Sequence, residues 1–168
     1  MKLQLKNIYL NERFSEETNC FKADLFVNGK KVAYTENDGR GGCTYYHHYE
    51  NQRDIVRQAE EYCKTLPKQI INFGGEDKEY NQTLESVIDD LVFAKEKEKE
   101  QKKIDKLCEN HIVWGKPNGY SYKQISFNGK PKFADVKKTI VGQIALDNLI
   151  NRVKSELKEG EEIFNKNI

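Results

Sequence analysis

The chemically capable residues crowd into one run, Asn37-Asp38-Gly39-Arg40-Gly41-Gly42-Cys43-Thr44-Tyr45-Tyr46-His47-His48. Three glycines in four positions open φ values that other residues avoid. Successive amide N–H groups can then converge on an anion. Arg40 adds a planar fork of donors suited to phosphate or carboxylate. Thr44 adds a hydroxyl, and Tyr45, Tyr46, His47 and His48 add stacking surfaces of the kind that hold bases. The alternative is a plain connection between strands, with Arg40 paired only to Asp38 or Glu36. A tight hairpin needs two residues, and the stretch Asn37–Gly42 exceeds that. The run lacks both the Gly-Lys-Ser/Thr of a phosphate-binding loop and the spacing of a dinucleotide fingerprint.

Other combinations are weaker. His47 and His48 are adjacent, so on a strand they point to opposite faces and do not readily chelate one metal. Cys43 and His47 share a face. Completed by His111 or Cys108 they would make a zinc site, and alone they would make an activated thiolate with no third member in view. The competing reading is of ordinary surface histidines, so neither a metal nor any other cofactor is expected. Glu60-Glu61, Glu85 and Asp89-Asp90 fall on helices whose alternation with lysine explains them as solvated faces. Trp114-Gly115-Lys116-Pro117-Asn118-Gly119-Tyr120 sets two aromatics around a turn with a lysine. Trp114 and Lys116 either anchor a partner or serve a core and a turn.

The elements that must position these residues follow from periodicity. Lys2–Leu10 reads as a strand. Phe21, Ala23, Leu25 and Val27 alternate with Lys22, Asp24 and Phe26, as in a half-buried strand. Asn28-Gly29 is the preferred type I′ turn. Pairing outward from it sets Leu25 opposite Val32 and Ala23 opposite Tyr34. Cys43–Tyr49 reads as a further strand. Asn51–Leu66 reads as a helix with Ile55, Val56, Ala59, Tyr62, Cys63 and Leu66 on one face, ended by Pro67. Pro67–Tyr80 reads as a polar linker, and Asn81–Asn110 as one long helix whose Lys95–Lys103 stretch is almost wholly charged. Ile112–Trp114 and Tyr120–Phe127 read as strands. Asn128-Gly129 reads as a second hairpin turn into Lys132–Val136. Thr139 caps a last helix with Ile140, Ile144, Leu149, Ile150, Val153 and Leu157 inward. The expected class is α+β: an antiparallel meander on a helix, a long charged linking helix, and a second small β-hairpin with a C-terminal helix. The expected divisions are 1–67, 80–110 and 111–168.

Composition narrows the partners. Charged residues make up 33% and the net charge is +1, so whole-molecule attraction to nucleic acid or acidic membranes is not expected. No stretch has the length of a membrane span, and Met1–Leu10 lacks the apolar core of a signal peptide. A cytoplasmic protein with free thiols at Cys20, Cys43, Cys63 and Cys108 is expected. The Lys, Asn and Ile bias suggests AT-rich coding DNA.

The Asn28-Gly29-Lys30-Lys31 hairpin followed by Asn37-Asp38-Gly39-Arg40-Gly41-Gly42, with Leu66-Pro67 and Val87-Ile88-Asp89-Asp90, resembles small proteins encoded by phages and prophages of low-GC bacteria. The resemblance implies an accessory protein that binds a host defence or regulatory component, in the host cytoplasm. The leading expectation is therefore a non-enzymatic binding protein with a host protein as partner. A nucleotide-binding sponge using the Gly-rich loop, a nucleic-acid contact, and a small Cys/His-dependent hydrolase or nuclease are the alternatives. Self-association through the long helix is the oligomeric alternative.

Overall fold

The computed structural model describes every residue except Asn118, Tyr120 and Asn167, and all side chains of the remaining residues except that of Phe73. The chain divides into two compact units, Met1–Lys97 and Glu98–Ile168. Both mix antiparallel strands with helices, which is the α+β class that the periodicities predict.

The first unit begins with β1 (Leu3–Leu10), β2 (Phe21–Val27), β3 (Lys30–Asn37) and β4 (Tyr45–His48), which form one antiparallel sheet in chain order. Asn28 (φ 50°) and Gly29 (φ 86°) make the expected tight turn between β2 and β3. The register beyond that turn is not the expected one. Val27 pairs with Lys30 and Phe26 with Lys31, but Leu25 then pairs with Ala33 and Ala23 with Thr35. Val32 is the extra residue of a β-bulge, so it and Ala33 are both fully buried. Two consecutive apolar residues cannot both face inward on a regular strand, and the bulge resolves this. It also exchanges the faces of everything downstream: Thr35 and Asn37 point to the core, and Tyr34 and Glu36 to solvent.

Helix α1 (Arg53–Lys64) and the first part of α2 (Leu84–Leu107) cover one side of the sheet. Val56, Ala59 and Cys63 of α1 and Leu84, Ile88 and Val92 of α2 meet Phe21, Leu25 and Val32 in a single core. Thr83 opens α2 with a reciprocal cap: its hydroxyl accepts from the Ser86 amide (3.0 Å), and its own amide donates to the Ser86 hydroxyl (2.9 Å). Between the helices, the stretch expected as a linker is a ribbon of β5 (Gln69–Phe73) and β6 (Glu76–Tyr80). Gly74 (φ 62°) and Gly75 (φ 98°) form its turn. The polar composition that argues for a linker is that of a solvent-exposed ribbon.

The second unit holds β7 (Ile112–Gly115) between β8 (Tyr122–Ile125) and β9 (Glu162–Ile163). Its core joins Ile112 and Trp114 to Phe133 and to Leu146, Ile150 and Val153 of α4 (Ile140–Glu156). The stretch expected as a strand after Asn128-Gly129 is instead the short helix α3 (Phe133–Val136). Thr139 caps α4 as expected, accepting from the Gly142 amide at 3.1 Å. The buried stripe differs, however: Ile140 and Ile144 are 76% and 56% exposed, and Leu146 takes the inward place. The charged part of α2 carries spaced ion pairs such as Lys102–Glu98 (2.5 Å), each worth ~0.2–0.5 kcal/mol in an exposed helix. Among the described residues, no helix is long and apolar enough to cross a membrane.

Candidate functional site

Asn37 is the last residue of β3 and, because of the bulge, its side chain points inward, where it is 6% exposed. A buried primary amide must find partners for both its oxygen and its nitrogen. Its Oδ1 accepts from the Gly39 amide (2.8 Å) and the Thr18 hydroxyl (2.9 Å). Its Nδ2 donates to the Gly42 carbonyl (2.9 Å) and the Thr44 hydroxyl (3.2 Å). The hydrogen bonds run in one direction from end to end. The Gly41 N–H donates to Thr18 Oγ1 at one end, and Thr44 Oγ1 donates to Asp89 Oδ1 (2.5 Å) at the other. The Thr44 amide also donates to Glu85 Oε1 (2.8 Å). Glu85 and Asp89 lie four apart on α2, on neighbouring turns of one face, and together they hold the end of the loop against the helix.

The loop is equally fixed on its other side. The Gly39 carbonyl accepts the amides of Glu16 (2.9 Å), Glu17 (3.0 Å) and Thr18 (3.3 Å). A Cβ at Gly39 would collide with the Phe14 carbonyl, and its φ of +86° already disfavours a side chain. At Gly41, Glu17 occupies the equivalent space.

These bonds change the chemistry expected of the run. The N–H groups of Gly39, Arg40, Gly41 and Thr44 already donate to oxygens of Asn37, Asp38, Thr18 and Glu85. An anion nest needs such donors free and convergent. Glu17, Asp38, Glu85 and Asp89 add negative charge around the loop. Arg40 is exposed and has no ion-pair partner among the described residues. The shallow hollow beside the loop, bounded by Thr18, Asn19, Asp89, Asp90 and Phe93, is likewise rimmed by carboxylates.

The downstream aromatics separate by pleat. Tyr46 turns to the helix side, where its hydroxyl donates to Glu60 (2.9 Å). Burial, with Glu60 beside it, pushes its pKa up to about 12, so it stays a neutral donor. His48 shares that side at the exposed end of the strand. Tyr45 and His47 face outward and stack with ring centroids 6.4 Å apart. His47 lies 3.9 Å from Glu36. Cys43 is exposed and Cys63 is buried, with burial raising the Cys63 thiol pKa. Among the described residues, no group of three or more His, Cys, Asp or Glu is placed to hold a metal. Nor does a hydrogen bond join Cys43 to His47 among them.

Trp114 and Lys116 belong to the second unit. Trp114 is core, 6% exposed, and Lys116 is exposed on the turn after β7. Tyr120, the other aromatic of that feature, lies outside the described residues.

Tyr45 and His47 are part of a larger surface that the sequence reading left out. Among the described residues, the helices of the first core pack on the inner side of the four-stranded sheet and none on its outer side. Register places Tyr9, Lys22, Glu36 and Tyr45 in one row across it, and Lys6, Asp24, Tyr34 and His47 in the next. Phe26 and Lys31 follow, with Lys31 Nζ 5.0 Å from the Tyr49 ring and Lys6 Nζ 4.4 Å from that of Phe26. Tyr9 and Tyr45, on the two edge strands, are 65% and 61% exposed. Four of the charges between them are paired, Lys31–Asp24 at 2.9 Å and Lys22–Glu36 at 3.8 Å, while Lys6 lies over the Phe26 ring. Asp24 also accepts from Asn7 (2.8 Å) and Tyr49 (3.2 Å). Partial burial opposes its charge, but these bonds and Lys31 outweigh burial and hold its pKa below the usual aspartate value. The sequence signal for this face was present in the polar positions of β2 and β3, where Phe26 and Tyr34 stand among charges.

No protein-family model, no curated protein and no solved structure matches the chain.

Two measurements check this geometry. Asn37→Ala leaves up to four groups without their partner, and should cost ~2–4 kcal/mol in denaturant unfolding at ~1 kcal/mol or more for each buried orphan. Gly29→Ala, at an open turn with nothing near its Cβ, should cost only ~1 kcal/mol. Equal effects would mean that the amide does not organise the loop. The second concerns Asp89. Partial burial of its carboxyl, with Glu85 and Asp90 nearby, raises its pKa against the opposing Thr44 bond. The folded state therefore holds this proton more tightly than the unfolded chain, whose aspartate titrates near ~3.9. The stabilising contribution is complete below that value and is lost as pH rises through the raised native pKa. Because the burial is only partial, the effect is modest. Asp89→Asn keeps an acceptor for Thr44, so its stability should match wild type in acid and exceed it at neutral pH. A variant less stable at neutral pH than in acid, relative to wild type, would contradict this.

Proposed function

We propose that this is a non-enzymatic binding protein that docks a protein partner on the outer face of its four-stranded sheet, as a phage accessory factor that sequesters or inhibits a host defence or regulatory component. The supporting observation is the outer face itself: Tyr9, Phe26, Tyr34, Tyr45, Tyr49 and His47 spread over a sheet side opposite the helices of the first core. Tyrosine offers a large, stiff, amphipathic contact at low conformational cost, and such residues dominate protein-interface energetics. A β-sheet is a rigid platform, so little ordering is required on binding.

The charges on the face favour a protein over a nucleic acid. Lys22 and Lys31 already face Glu36 and Asp24, so there is no run of free cations to follow a phosphate backbone. The bonded amides of Gly39, Arg40, Gly41 and Thr44 and the loop's acidic surroundings argue in the same way against a nucleotide sponge. The assignment to phages rests on the sequence resemblance alone, as does the host component as target.

The test pairs capture with a face variant. Wild-type protein should capture a defined protein from host lysate, and Tyr9→Ala/Tyr45→Ala should lose it, with a drop of roughly 30-fold or more if these are hot spots worth ~2 kcal/mol. Both side chains are exposed, so the fold should stay intact by circular dichroism. Undiminished capture by the double variant, or thermal stabilisation by nucleotides in place of a protein partner, would overturn the reading.

A further inference from the structure

We propose that β5 is a docking edge for a second copy of this chain, which pairs antiparallel with its own β5 to join two ribbons into a four-stranded sheet. The β5–β6 ribbon is a two-stranded sheet of its own and, among the described residues of the first unit, packs extensively against no other element. An isolated two-stranded ribbon is marginal in water, and a third strand or a covering helix is what normally stabilises it. Here Ile70 and Ile71, which point to opposite faces, are 67% and 40% exposed. The bond between Gln69 and Asp90 (3.3 Å) ties the ribbon's base to α2.

The two edges of the ribbon differ in charge. Strand β6, Glu76-Asp77-Lys78-Glu79-Tyr80, is charged in four consecutive positions, and β5, Gln69-Ile70-Ile71-Asn72-Phe73, in none. Charged side chains are how edge strands are kept from pairing. If two β6 strands met about Lys78, lysine would face lysine and Asp77 would face Glu79 on both sides of it, so like charges would oppose one another at the three central pairs. Two β5 strands meeting about Ile71 place Ile71 against Ile71 and Ile70 against Asn72, with no charge opposed.

Backbone geometry selects the same register. The turn at Gly74-Gly75 makes Phe73 and Glu76 a hydrogen-bonded pair, and bonded pairs alternate along an antiparallel ladder. The N–H and C=O groups of Ile70 and Asn72 are therefore the ones that point away from β6. A two-fold axis at Ile71 brings Ile70 of one copy to Asn72 of the other twice, and all four outward-facing residues pair. The outer edges of the joined sheet are then the two β6 strands, whose charges stop growth at two copies.

Sedimentation of the full chain over a concentration series tests this. Wild type should show a concentration-dependent dimer. Ile71→Lys, which sets a charge against its own copy, and Ile70→Pro, which removes an outward N–H and leaves the bonds to β6, should each weaken association roughly tenfold or more. Both positions are exposed, and matching thermal melts would show that the fold survives. Lys78→Ala, on the guarded strand, should leave the dimer unchanged. A wild type that stays monomeric at millimolar concentration overturns the proposal. So does a dimer indifferent to both β5 variants, or a ribbon that takes up a strand of a different protein instead.

Discussion

The buried side-chain amide of Asn37 is the constraint on which the first unit's connections depend. A primary amide in a core is tolerated only with its oxygen and nitrogen both satisfied, and Asn37 satisfies them entirely within its own loop and the neighbouring Thr18. It can do so only because the bulge at Val32 turns it inward. Without the extra residue, Glu36 would face the core and the amide would face water. The same inward turn aligns Thr44 with Glu85 and Asp89, so one irregularity in β3 fixes the loop, the start of β4 and the seat of α2 together.

That arrangement makes the glycine-rich run a joint. Its glycines are needed where chain meets chain, as at Gly39 beneath the Phe14 carbonyl. The amide donors of Gly39, Arg40, Gly41 and Thr44 are consumed in holding the joint closed. What the joint presents outward is β4, with Tyr45 and His47 completing a sheet face of aromatics and paired charges. A rigid sheet with amphipathic rings and charges that are mostly paired suits a protein surface better than a phosphate chain.

Much of this was legible in the residues. Asn28-Gly29 specified its turn, Thr139 its cap, and the helical spacing of Val56, Ala59 and Cys63 their burial. The bulge was not legible, because Val32 and Ala33 fit an unbroken strand nearly as well, and only tertiary demand on Asn37 separates the two registers. The β5–β6 ribbon was hidden by its exposure: a strand with neither face buried has no alternation to read. Glu85 and Asp89 looked like two more solvated carboxylates of a charged helix, and their role depends on a partner more than forty residues earlier in the chain. Ile140 and Ile144 misled in the other direction, since apolar residues at helical spacing mark a stripe without saying that anything covers it.

Amide hydrogen exchange on the intact protein, read residue by residue with and without inorganic phosphate and mononucleotides, tests most directly whether the loop is a closed joint. Gly39 and Thr44 should exchange slowly, as bonded donors to Asn37 and Glu85 do, and neither ligand should alter their rates or shifts. Fast exchange at both positions, with slowing on addition of phosphate, would show free amides gathered by an anion and would contradict it.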